Sequence, residues 1–131
     1  MQMRSMLLGA MAVTLLMGGS VMAKDYAGGA IKSVKMGNHE VLTNAKGQTL
    51  YTYDKDAAGV SNCTGLCAFG WPPERAAKGA TAGGGFAPIN ARRGAIWAFH
   101  GHPLYRYIGD HKAGDVKGDG VDGIWHAAII R

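Results

Sequence analysis

The chain has 131 residues, 47% apolar and 18% charged, with a formal net charge of +5. That length allows one domain and that apolar share excludes a wholly disordered chain. No apolar run reaches the roughly 18 residues that a membrane-spanning helix requires. No dinucleotide fingerprint, Walker loop or nucleophile elbow is present. The basic residues are scattered, with only Arg92 and Arg93 adjacent, whereas a nucleic-acid binder clusters them on one face.

The N-terminal segment reads as a targeting signal. Met1–Ser5 carries Arg4, Met6–Gly19 is apolar or small except for Thr14, and Val21-Met22-Ala23 precedes the polar Lys24-Asp25. This is the order of a secretory signal peptide, and its apolar stretch is too short to span a bilayer. The expectation is cleavage near Ala23, a periplasmic or secreted location, and one domain over residues 24–131. Met36 is then the only methionine left. No cysteine lies near the cleavage site, which argues against a lipid anchor.

Beyond Ala23, glycines punctuate short runs rich in Val, Ile, Tyr and Trp: Ala30–Val34, Glu40–Thr43, Thr49–Tyr53, Ala95–Phe99, Pro103–Tyr107 and Trp125–Ile130. No long 3.6-residue periodicity interrupts them, so the expected fold is all-β or mostly β. Ala76–Gly85 is rich in Ala and Gly and reads as a loop between two halves.

The halves repeat. Gly47-Gln-Thr-Leu-Tyr51-Thr-Tyr53-Asp-Lys-Asp56 aligns with Gly101-His-Pro-Leu-Tyr105-Arg-Tyr107-Ile-Gly-Asp110 at an offset of 54, which also carries Trp71 onto Trp125 and Leu42 onto Ile96. Two copies at so long a period imply a pseudo-twofold domain rather than a solenoid. Repeat one covers about residues 30–75 and repeat two about 86–131, with the loop 76–85 between them. Lys46-Gly47 and His100-Gly101 sit where two-residue hairpin turns belong. Turns at those positions would pair Leu42 with Tyr51 and Ile96 with Tyr105. Tyr53 and Tyr107 then share the face of their partners, and all four tyrosines read as core residues rather than catalytic ones.

Tyr51-x-Tyr53-x-x-Asp56 and Tyr105-x-Tyr107-x-x-Asp110 both fit a Tyr-x-(Phe/Trp/Tyr)-x-x-Asp signature. With Cys63-Thr-Gly-Leu-Cys67, Trp71-Pro72-Pro73, Gly101-x-Pro103-Leu104-Tyr105, and Gly114-Asp115 leading to Trp125-His126, the chain resembles the bacterial secreted-repeat family of predicted lipoproteins. The resemblance runs over roughly residues 30–128. It implies location and architecture but no activity.

Four features carry candidate chemistry. Cys63 and Cys67 are the only cysteines, and in an oxidising compartment a disulfide is the default; a soft-metal pair and a thiol redox site are the alternatives. His100, His102 and His111 are candidate copper or zinc ligands, while His126 reads as a partner beside Trp125. Asp115, Asp119 and Asp122 lack the spacing of a calcium loop and suit tight turns. Asp56 and Asp110 follow the tyrosine strands, where capping backbone N–H groups is the common role.

No nucleophile, base and orienting group can be assembled from sequence. The leading expectation is therefore an exported, non-enzymatic binding or interaction module with no cofactor, partnered by a periplasmic protein or a small ligand. The alternative is a metal-handling (copper or zinc) or redox accessory protein using Cys63, Cys67 and the histidines.

Overall fold

A computed structural model describes residues 23–130, so the expected signal segment lies outside the described residues except for Ala23. Alternation along Ile31–Met36 buries Ile31 and Ser33 on one face, which opens to solvent at Lys35 near the strand end, and Gly37 at φ 61° opens a two-residue turn into the next strand. These strands, β2 (Ile31–Met36) and β3 (His39–Asn44), form the centre of a four-stranded antiparallel sheet. β1 (Ala23–Tyr26) flanks β2, and β9 (Ile129–Ile130) flanks β3. A second sheet joins β5 (Phe86–Ala91), β6 (Gly94–Phe99) and β7 (His102–Pro103); a third pairs β4 (Tyr51–Tyr53) with β8 (Trp125–Ala127). One short helix, α1 (Leu66–Gly70), interrupts the strands. The fold is the mostly β domain expected.

Two strands were not legible. β1 is short and carries Lys24 and Asp25. β5 contains Pro88, which normally disqualifies a strand interior. Pro88 is tolerated because it stands opposite Trp97, whose N–H donates to Glu74 O and whose carbonyl accepts from Leu104 N. Both polar groups of Trp97 thus face away from β5, and the missing N–H of Pro88 falls on the open edge.

The repeat is real, but its register differs from the gapless alignment. In repeat two the turn is His100-Gly101, with φ 48° and 84°, the type I′ geometry that suits a two-residue hairpin. In repeat one Asn44 N donates to Gln48 O, so the loop holds three residues, Ala45-Lys46-Gly47. Asn44 Oδ1 clamps it by accepting from Lys46 N and Gln48 N. The extra residue slips the pairing by one: Leu42 meets Leu50, whose N–H donates to Leu42 O, and not Tyr51. Downstream of the turns the offset is 54. Upstream it is 55, so β2–β3 matches β5–β6 and the structural equivalent of Leu42 is Trp97, not Ile96. Ile96 in turn bridges Arg75 and not Tyr105.

Each repeat lends its last segment to the other. Residues 124–130 of repeat two run along β4 and β3 of repeat one. Reciprocally, Glu74 N donates to Leu104 O, Arg106 N to Pro72 O and Ile108 N to Gly70 O. At the centre, Tyr51 and Tyr105 exchange both backbone hydrogen bonds, at 2.8 and 3.0 Å, across the pseudo-twofold axis. Two cores result. One is aliphatic and aromatic, with Ile31, Leu42, Leu50, Phe86, Trp97 and Leu104. The other holds Tyr51, Cys63, Trp71, Tyr105 and Trp125.

Gly118 is packed tightly between the rings of the second core. A Cβ there would stand 2.9 Å from Trp71 Cη2 and 2.9 Å from Tyr51 Cε1. Gly118→Ala should therefore destabilise by about 1–3 kcal/mol, the usual cost of overpacking, as measured by denaturant unfolding; an unchanged midpoint would contradict this packing.

Candidate functional site

The motif residues converge on the pseudo-twofold axis, in a crossed arrangement. Tyr51 and Tyr105 are fully buried, at 0% exposure. Tyr51 Oη donates to Asp110 Oδ2 at 2.5 Å and Tyr105 Oη donates to Asp56 Oδ2 at 2.7 Å. Each repeat's aspartate thus accepts the other repeat's tyrosine. The second oxygen of each carboxylate holds its own loop: Asp56 Oδ1 accepts from Asn62 N, and Asp110 Oδ1 from Lys117 N. The phenol oxygens are satisfied from the other side by Ser61 Oγ at 2.6 Å and by Gly118 N at 3.1 Å.

Around these phenols runs an aromatic column, Tyr53–Trp125–Trp71–Tyr107. The tryptophan rings stack at a centroid separation of 3.8 Å with planes 2° apart, and each tyrosine stacks on its tryptophan at 4.2 Å. Tyr51 meets Trp71 edge-on at 5.4 Å, and Tyr105 meets Trp125 edge-on at 5.3 Å. The tryptophan of each repeat stacks on the second tyrosine of the other.

Burial, first of all, raises the pKa of both buried phenols, and the facing carboxylates raise it further. Both phenols are therefore protonated donors at neutral pH. Burial also raises the Asp56 carboxyl, opposed by the Asn62 N–H, the Tyr105 hydroxyl and the charge of His102. A second polar cluster escaped sequence reasoning. Glu74 Oε1 accepts from Asn44 Nδ2 at 3.1 Å and lies 3.3 Å from Arg106 Nε; burial raises its pKa, and Asn44 and Arg106 offset only part of that rise. None of this assembles a nucleophile with a base. It is a scaffold.

Cys63 and Cys67 are joined as a disulfide, so neither sulfur is a thiolate. The acidic loop is spent on the backbone: Asp115 Oδ2 accepts from His111 N and Lys112 N, and Asp119 Oδ1 from Ala127 N. The His111 N–H is the main cause of a lowered Asp115 pKa. Among the described residues no three His, Cys, Asp or Glu side chains come together as a metal-binding group. His111 does not join His100 and His102.

Those two histidines instead lie along the same groove as His39 and His126. All four line one groove of about 900 Å³, walled by Phe86, Phe99 and Ile129. His126 Nε2 also lies 2.9 Å from Asp54 Oδ2, and His100 packs against Phe99 at 4.2 Å. The groove was invisible in sequence because it needs β3, the β6–β7 turn and β8 side by side. His39, His100 and His102 fall at strand starts or in a turn, and His126 is the middle residue of β8.

A family model described as a secreted repeat of unknown function matches residues 23–74 and 89–129. The chain therefore belongs to that family of secreted repeats, and the description supports an exported location. No curated protein and no solved structure matches the chain. Among the described residues no helix is long and apolar enough to cross a membrane.

The crossed phenols predict an alkaline transition. A tyrosine whose folded pKa exceeds its unfolded value of about 10 stabilises fully below that value and progressively less as pH rises toward the folded one. Phenolate absorbance from Tyr51 and Tyr105 should appear only together with loss of near-ultraviolet ellipticity. Tyr51→Phe and Tyr105→Phe should each cost about 1–3 kcal/mol, because each leaves a carboxylate oxygen without its donor. Wild-type stability in both variants would show that the crossed bonds do not form.

Proposed function

We propose that the protein is an exported, non-enzymatic binding module whose small ligand or periplasmic partner seats in the histidine-lined groove. The observation that supports this is the groove itself: about 900 Å³, apolar walls, and four of the five histidines at its edges. Ligand sites typically occupy about 300–1,000 Å³, mostly apolar with a few placed polar groups. The aromatic column and crossed tyrosines supply rigidity behind it, and no catalytic set competes for the assignment. A photocrosslinker at Thr52, inside the groove, should capture a partner or ligand from the exported fraction. The same group at the exposed Arg92 should capture nothing; equal capture from both, or none from Thr52, overturns the assignment.

Cleavage after Ala23 belongs to the same proposal. It would make Lys24 the first residue and leave Lys24, Asp25 and Tyr26 paired with β2. N-terminal sequencing of exported protein should read Lys-Asp-Tyr, and a chain retained in membranes with its N-terminus intact would contradict it.

The imidazoles along the groove carry a second reading, copper or zinc handling, in which at most two of them serve one ion, since no three such side chains come together among the described residues. With the sulfurs joined, such binding rests on imidazoles alone. Equilibrium dialysis should then show uptake of Cu²⁺ or Zn²⁺ that His100→Ala with His102→Ala removes; uptake unaffected by these changes would exclude the groove as its site.

A further inference from the structure

We propose that the Cys63–Cys67 disulfide is the substrate of a thioredoxin-fold dithiol oxidoreductase, which docks on the exposed face of α1 and attacks Cys67. The inference is independent of the groove.

The two cysteines are not equally exposed. Cys63 is 3% exposed and belongs to the aromatic core, whereas Cys67 is only partly buried at the edge of that core. Leu66 and Phe69 flank Cys67 on α1, at 85% and 75% exposure. Three residues apart, they share one helix face. Ile108, 61% exposed, lies beside the end of α1, its N–H donating to Gly70 O.

The pseudo-symmetry shows that the fold does not require this bulk. Counting back from Trp71 and Trp125, Leu66 corresponds to Gly120, Phe69 to Gly123 and Cys67 to Val121. Repeat two reaches its tryptophan through a 3-10 turn with glycines where repeat one displays Leu and Phe. The disulfide, closing a separation of only four residues, also gains little from loop-closure entropy. Apolar side chains that repeat two lacks are grouped around the less buried of the two cysteines.

The size of the patch selects the occupant. Three such side chains amount to on the order of 500 Å², short of the roughly 800 Å² per partner in a stable complex. A second copy of this chain would not be held by it. Transient redox encounters occupy the low end of interface sizes, and a partner that must leave after each turnover needs no more.

The exchange balances. The partner's thiolate attacks Cys67 Sγ, the Cys63–Cys67 bond breaks, and Cys63 leaves as a thiolate that takes up a proton. The partner's second thiolate then attacks its own sulfur in the mixed disulfide and releases Cys67 as a thiolate, protonated in turn. Two electrons pass from the partner dithiol to this cystine, and the partner becomes the disulfide.

The test uses the full oxidised chain with reduced thioredoxin as the probe and dithiothreitol as a small-molecule control, following the appearance of free thiols. Leu66→Ser with Phe69→Ser should slow the thioredoxin reaction about tenfold or more, the effect of losing an interface anchor, and leave the dithiothreitol rate unchanged. Thioredoxin lacking its resolving cysteine should be trapped on Cys67. The proposal is overturned if the wild-type chain does not react with thioredoxin, if the trap maps to Cys63, or if both reductants slow equally. It is also overturned if the double substitution spares the thioredoxin rate but abolishes self-association or binding to phosphatidylglycerol vesicles, which would assign the patch to a second copy or to a bilayer.

Discussion

Each buried tyrosine hydroxyl reaches across the pseudo-twofold axis to the carboxylate of the opposite repeat, and the rest of the molecule is arranged around that exchange. Sliding one half against the other would strand two phenols and two carboxylates in a core, at about 1–3 kcal/mol for each unmade bond. The same displacement would unstack four rings, because the tryptophan of each half lies on the tyrosine of the other. The hydrogen bonds set the registration and the stacking gives it area. The short sheets, none wider than four strands among the described residues, could not supply this alone.

Strand positions and turn chemistry were legible because they are local. Alternation and glycine placed β2, β3, β4, β6 and β8, and the His100-Gly101 turn followed from its glycine. What failed was register. Lys46-Gly47 looks like a two-residue turn, but Asn44 captures Lys46 N and Gln48 N and so favours a three-residue loop. One residue of slack there moves Leu42 from Tyr51 to Leu50. The aspartates at the end of each motif were visible too, but not their partners. An Asp three residues after a strand predicts a capped turn, and nothing local says that its second oxygen will accept a phenol from 49 or 59 residues away. The groove was illegible for the same reason, since its histidines come from the start of β3, the β6–β7 turn and the middle of β8.

Where the repeats agree they build the scaffold, and where they diverge they differ in exposed chemistry. At the axis the correspondence is close, pair for pair, from tyrosines to aspartates to tryptophans. At the groove it lapses: His39 matches Gly94 and His126 matches Pro72. At α1 it lapses again, with glycines facing Leu66 and Phe69. Substitution at those positions changed the surface without touching the crossed bonds, as expected of a rigid scaffold that carries variable sites.

The exchange of final segments has a kinetic side. β3 and β4 gain their outer partners only from residues 124–130, and the second tryptophan of the column is Trp125. Contacts of such long sequence separation make for slow closure. A chain emerging N-terminus first can form the β2–β3 hairpin early, yet it has no complete core until its last strand is free. That order lets both halves lock in a single late step, when the final strand pairs.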